Sequence, residues 1–198
     1  MAQPLKQFFT PDEYFELESS ATYKSEYFQG EIFMMAGASA NHDRISLNVT
    51  SALNLGLKKS CEVFSSDIKV QIDPNTFFTY PDASVVCGKI QFAPNRDDMI
   101  INPLLIVEVI SPTTEKYDRG RKFQAYRTIN SLKTYLMIEQ ERPYIEVYER
   151  QADGNWLLKT FEGLDTILEL PTIEFELSLT TIYNRVEFET VDQNRPSH

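Results

Sequence analysis

Residues 104–110 read Leu-Leu-Ile-Val-Glu-Val-Ile. A run that is almost wholly apolar and rich in β-branched residues is expected of a strand covered on both faces. It predicts an α/β architecture in which this strand lies inside the sheet. The one residue that breaks the run, Glu108, is also the most informative. A carboxylate on a dry strand costs several kcal/mol unless it is paired, protonated or bound to a cation.

The flanking pattern supplies the rest of the layers. Thr10-Pro11-Asp12-Glu13 predicts a capped helix to about Ser19. Gln29-Gly30 between apolar-rich arms predicts a hairpin over Tyr23 to Met35. Ser39 can cap a second helix, along which Ile45, Val49, Ala52, Leu53 and Leu57 recur at helical spacing through Lys59. Cys61 to Ile72 reads as one strand, and Phe77 to Val86 as another interrupted by Pro81. Beyond Ser111-Pro112 a helix fits Lys116 to Ile129, with Phe123 and Tyr126 or Arg127 toward the sheet. Lys133 to Glu139 reads as a strand parallel to 104–110 through a βαβ-like crossover. A second hairpin joins Tyr144–Glu149 and Trp156–Phe161 around Asp153-Gly154, and Leu177 to Val186 holds a last short helix. One domain over 1–198 is expected, with its core at about 10–185 and a loose polar tail from about 190.

Composition narrows the function classes. No apolar run is long enough to cross a bilayer, and Met1-Ala2-Gln3-Pro4-Leu5-Lys6 does not open a secretory signal. Cys61 and Cys87 form no close motif, which predicts free thiols in a reducing cytoplasm. A zinc set from Cys61, Cys87, His42 and His198 lacks ligand spacing. The net charge of −10 argues against a generic nucleic-acid binder, but it is uneven. Residues 110–135 carry Lys116, Arg119, Arg121, Lys122, Arg127 and Lys133 against only Glu115 and Asp118. A basic stretch directly after Glu108 suits an anionic substrate. On charge alone, a solvated helix face explains it better.

Three residues carry the chemistry. Glu108 has an internal salt bridge to Lys69 or Lys122 as its structural alternative. Asp82 follows Pro81 where a strand begins, and alone it would be a turn aspartate. Two carboxylates on neighbouring strands repel unless a cation sits between them. Magnesium takes one or two carboxylates plus waters and substrate phosphate. Lys122 could reach the same spot from the helix, as a point charge for a phosphate or an attacking water. Asp118, Lys122 and Tyr126 share one stripe at i, i+4 and i+8, for which a surface Asp118–Lys122 pair is the plainer reading.

Pro81-Asp82, then Glu108-Val109-Ile110 after 26 positions, then Lys122, resembles the PD-(D/E)XK nuclease superfamily, and the α-β-β-β-α-β order matches its core. More narrowly, the chain resembles the restriction-endonuclease-like family common in cyanobacterial genomes. The matching features are Glu26-Tyr27-Phe28-Gln29-Gly30-Glu31, His42, Tyr80-Pro81-Asp82, the run Pro103 to Pro112, Asp118, Lys122, Tyr126 and the strand with Tyr135. The resemblance covers most of residues 10–185. It implies a mixed central sheet flanked by helices and extended by β-hairpins. Asp82, Glu108 and the carbonyl of Val109 would be ligands of Mg2+ or Mn2+, and Glu26 would be a further acidic member. The lysine that the superfamily places two residues after the glutamate is here Ile110, and Lys122 is the candidate to replace it. His42 lies on the polar side of its helix, where a surface role is expected ahead of catalysis; the alternative is a supporting place facing the cleft.

These readings predict a metal-dependent endonuclease acting on nucleic acid, DNA ahead of RNA. A catalytically silent binding module on the same scaffold is the alternative. A third reading is an interaction protein that forms a homodimer through edge strands around 144–161.

Overall fold

A computed structural model describes residues 8–35 and 37–188. Helix α1 (Pro11–Ser20) precedes β1 (Ser25–Phe28), β2 (Glu31–Met34) and helix α2 (Ala40–Gly56). Strands β3 (Cys61–Ser65), β4 (Lys69–Asp73), β5 (Phe77–Thr79), β6 (Ala83–Cys87), β7 (Met99–Ile100) and β8 (Leu105–Ile110) follow. A π-helical segment, Tyr117–Lys122, runs straight into α3 (Phe123–Tyr126). The chain then forms β9 (Thr134–Glu139), β10 (Tyr144–Arg150), β11 (Trp156–Glu162), β12 (Ile167–Leu170), β13 (Phe175–Ser178) and α4 (Leu179–Ile182).

The principal sheet has six strands in the order β11-β10-β9-β8-β6-β3. Every residue of β8 is buried, as its apolar run requires. It pairs parallel with β9 and antiparallel with β6. On one face α2 sets Ile45, Val49 and Leu53 against Leu105, Val107 and Val109. On the other, Phe123, Tyr126 and Ile129 cover Ile106, Ile110, Tyr135 and Met137. Odd and even positions of β8 therefore feed two separate apolar clusters, as the alternation of a strand dictates. Glu108 falls on the even face. The sequence α2, β3, β6, β8, crossover helix and β9 reproduces the expected α-β-β-β-α-β core. Mixed sheets flanked by helices match the expected fold class.

The chain leaves this sheet twice where the sequence suggested continuity. Cys61 to Ile72 is two strands, β3 and β4, separated by a turn at 66–68 and belonging to different sheets. Phe77 to Val86 is likewise β5 and β6. Pro81 stands between them without an N–H to give a ladder, so the break falls where a proline cannot pair. The second sheet runs β2-β1-β5-β4-β7. Its β1–β2 hairpin turns on Gln29 and Gly30, both at positive φ (48° and 86°), the geometry of a tight primed turn. The two-residue β7 and the β12–β13 hairpin were not anticipated. The crossover helix is shorter than Lys116–Ile129, with Arg127 exposed and Phe123 and Tyr126 buried. The final helix is confined to Leu179–Ile182.

The cysteines correct a further expectation. Cys61 and Cys87 are direct partners in the β3–β6 register and form a disulfide. The pairing was hidden because it depends on which strands are neighbours, and the two residues lie 26 positions apart.

Lys69 does not reach Glu108. Its ammonium lies 3.0 Å from Glu18 and 2.8 Å from Asp98. Glu18 also accepts from the hydroxyls of Tyr14 (2.8 Å) and Tyr80 (2.6 Å). This group ties α1 and the second sheet to the segment just before Asp82. The Arg96 guanidinium on Asp98, with Lys69 beside it, holds the Asp98 carboxyl far below its ordinary range despite some burial. A depressed carboxylate stabilises the fold above its unfolded pKa and loses that contribution as pH falls toward the folded value. D98N is therefore expected to cost about 1 kcal/mol at neutral pH, a modest figure because the site is partly solvated. The gap to wild type should narrow as pH falls below ~4. Urea denaturation across pH checks this, and a gap that widens on acidification would contradict the pairing.

Candidate active site

The β6–β8 register pairs Ala83 with Val107, and its next step sets Asp82 across from Glu108. Asp82 lies just outside β6, after Pro81. Its Oδ2 accepts from the Val109 N–H at 2.7 Å, a ladder position that β6 itself leaves open. His42 stands in the first turn of α2, where Ser39 accepts from its N–H at 3.1 Å. Its Nε2 is 3.4 Å from Asp82 Oδ2, so it faces the site, the alternative to the surface role first expected for it. Burial acts to lower the imidazole pKa, but Asp82 and the backbone of Val109 outweigh it and raise the pKa.

The even face of β8 carries the larger cluster. Glu108 Oε1 accepts from Lys122 Nζ at 3.1 Å and from the Tyr126 hydroxyl at 2.8 Å. The same ammonium lies 3.0 Å from Glu26 Oε1 and 3.5 Å from Asp118 Oδ1. Glu26 accepts further from the Tyr117 hydroxyl (3.1 Å) and the Tyr80 N–H (3.3 Å). Glu26, Glu108, Asp118 and Lys122 are all at most 5% exposed. The plain reading of Asp118–Lys122 as a surface pair is thus overturned. The wide turns of the π-helix bring these two to one side, where Phe123 N–H closes onto the Asp118 carbonyl. Such π-turns are rare and recur at functional sites.

Ile110 shares the face of Glu108 but is buried in the apolar cluster. Lys122 reaches over from the crossover helix and brings its ammonium to the carboxylate. One ammonium cannot neutralise three carboxylates with Asp82 close by. Burial pushes the Glu108 carboxyl well above its ordinary range; Lys122 opposes this, while Asp118, Asp82 and Glu26 reinforce it. Burial disfavours the Lys122 ammonium, but Glu108 and Glu26 more than compensate and hold its pKa well above normal. The lysine keeps its proton, and the surplus charge falls on the carboxyls.

Among the described residues, no three His, Cys, Asp or Glu side chains are grouped so as to hold a metal ion. The donors available at Asp82, Glu108 and the Val109 carbonyl are hard oxygens in a site of excess negative charge. That set suits a divalent cation that keeps several of its waters. The zinc set is excluded on chemistry: its thiols are joined in the disulfide, and His198 lies outside the described residues.

Tyr117 and Thr79 are members that the sequence did not mark. Thr79 lies 2.6 Å from the Tyr126 hydroxyl, and Tyr117 binds a residue 91 positions away, so neither left a local signal. The basic stretch is also partly spent. Arg119 is bound to Glu115 (2.9 Å), Glu139 (3.1 Å) and Glu146. Beside the site, a cleft of about 230 Å³ opens at the C-terminal ends of β8 and β9, lined by Ile110, Ser111, Glu115, Glu139 and Gln140 among others. Ligands of open α/β sheets bind at such strand ends.

Residues 11–181 match the family model Uma2, described as "Putative restriction endonuclease". Two uncharacterised proteins of Synechocystis sp. are similar along most of their length. One, sll1609, is 38% identical over 161 residues, 81% of this chain and 91% of its own. The other, slr1290, is 36% identical over 180 residues, 90% of this chain and 93% of its own. A crystal structure from Anabaena variabilis, titled a putative nuclease belonging to DUF820, shares the fold. Its TM-score is 0.72 at 20% identity, covering 88% of this chain and 97% of that one.

Proposed function

The chain belongs to the Uma2 family of restriction-endonuclease-like proteins, and from that membership and the buried cluster we propose that it is a metal-dependent nuclease. The observation that carries the reading is the Lys122 ammonium held between Glu108 and Glu26 beside Asp82. A structural ion pair needs one carboxylate per ammonium; this site gathers several on one lysine, an arrangement suited to a further cation.

Asp82, Glu108 and the Val109 carbonyl would hold Mg2+ or Mn2+, which supplies charge neutralisation at phosphorus and a more acidic water. Water adds to phosphorus in line with the leaving oxygen. A new P–O bond forms, the old one breaks, and the leaving oxygen gains a proton as the attacking water loses one. Lys122 positions the reactants. Its ammonium donates to Glu108 and lies within 3.5 Å of Glu26 and Asp118, so it takes up water or a phosphate oxygen by giving up one of these contacts. Asp118, at 3.5 Å the longest contact, is the one to exchange. Tyr126 and Thr79 fix the orientation of Glu108, and His42 that of Asp82. DNA is the proposed substrate, cut by a single-domain protein. The exposed edge strand β11 offers a surface for a homodimer, which sedimentation of the same preparation would test.

Nicking of plasmid and single-stranded DNA, with Mg2+ or Mn2+ and with EDTA, tests the proposal. D82A is expected to lose at least ~100-fold, since even groups that only orient a ligand are worth 10–100-fold. Full activity in D82A would refute the assignment. A silent binding module is favoured by one observation: one oxygen of each carboxylate, Asp82 Oδ2 and Glu108 Oε1, already has a protein donor. Calorimetry separates the two, because the silent module takes up no metal at millimolar concentration.

A further inference from the structure

We propose that the face of the β1–β2 hairpin that carries Glu26 and Phe33 is a stacking platform for a base of single-stranded nucleic acid; this rests on the nuclease reading and names its substrate class. Phe33 is the direct register partner of Glu26, and directly opposed residues of an antiparallel pair share a face. Phe33 therefore stands on the side of the hairpin from which Glu26 reaches Lys122. A line of rings leads outward from the cluster. Lys122 Nζ is 5.6 Å from the centre of the Tyr117 ring, and the Tyr117 ring is 6.5 Å from that of Phe33. On the same hairpin face the Arg121 guanidinium lies 4.6 Å from the centre of the Phe28 ring. Phe33 is 36% exposed, and Arg121 is exposed as well.

Electrostatics favour a single strand over a duplex. Duplex binding draws its affinity from many neutralised phosphates. Here Arg119 and Lys122 are already occupied by carboxylates, and the chain carries a net −10. Beyond Lys122, the cation set against this hairpin face is Arg121, so affinity must come mainly from stacking on aromatic faces. That requires a base whose own faces are free, which a paired and stacked duplex does not offer.

Fluorescence anisotropy on the full chain in EDTA tests this, with a labelled short oligodeoxythymidine and a labelled duplex of the same length. The single strand is expected to bind more tightly, with a salt slope equivalent to about one or two phosphates. F33A and F33L should each weaken it roughly 10-fold, and F33W should retain it. F33L keeps the apolar bulk and loses only the ring, so it carries the test if F33A unfolds. Wild-type affinity in F33L, tighter binding of the duplex, or no binding of either probe would overturn the platform. Because binding is read without metal, loss of affinity in F33L without any metal-dependent nicking would sink the nuclease reading and leave the platform standing. Nicking with unaltered F33L affinity would do the reverse.

Discussion

Replacing Lys122 with methionine is expected to destabilise the protein by about 3–5 kcal/mol, the usual cost of removing one partner from a buried charge cluster. Methionine matches the length and bulk of the lysine stem, so packing changes little and the loss is electrostatic. Without the ammonium, Glu26, Glu108 and Asp118 remain at most 5% exposed, with no cation among them. They must take up protons or draw in water, and either response costs free energy. For a chain of this size each kcal/mol shifts the melting temperature by about 2–4 °C, so a fall of about 10 °C is expected. Urea denaturation and calorimetry measure it. A variant within about 1 kcal/mol of wild type would mean that the carboxyls are protonated already and that Lys122 does not organise the site.

Glu108→Gln should separate stability from function. The amide oxygen can still accept from Tyr126 and Lys122, and Lys122 keeps Glu26 and Asp118 as counter-charges. The variant removes the carboxyl that burial and its acidic neighbours disfavour most strongly. Swapping a buried charge for a neutral group of the same shape is often neutral or stabilising, so stability is expected to stay level or rise by about 1 kcal/mol. Metal-dependent nicking should nevertheless fall by at least ~100-fold, because the amide is a poor ligand for a hard cation. That combination marks a residue kept for chemistry at the expense of the fold. If E108Q lost several kcal/mol, as expected of K122M, Glu108 would be one half of a structural ion pair and the case for catalysis would lapse.

The legible and illegible parts of this protein divide by distance along the chain. Local signals were read correctly where they were self-contained. Thr10 and Glu13 form the capping box of α1. Gln29-Gly30 makes its hairpin turn, and the run around Glu108 is buried throughout. Elements failed where the sheet that would pair them could not be known. Ile68 to Ile72 has good strand character, yet it pairs with β5 and β7 rather than continuing beside β6. Cys61 and Cys87 looked like isolated thiols until β3 and β6 became neighbours. For His42 and the Asp118–Lys122 stripe, local pattern alone favours solvent, because polar residues on a helix usually face water; only the resemblance points them to the site.

What the sequence by itself determined is the central strand, its single carboxylate and the order of elements around it. An almost unbroken apolar run has one low-energy place, inside a covered sheet, and a glutamate there needs a partner wherever the rest of the chain goes. Only the tertiary structure decided which partners it has. Lys122 replaces the position held by Ile110 because a π-helical turn carries it over the even face of β8. Glu26 and Asp82 converge on the same site from opposite sides of the proline that divides β5 from β6. Those contacts join residues 14, 27 and 91 positions apart, and no local propensity encodes a distance of that kind. They are fixed by strand register and by which helix crosses which face.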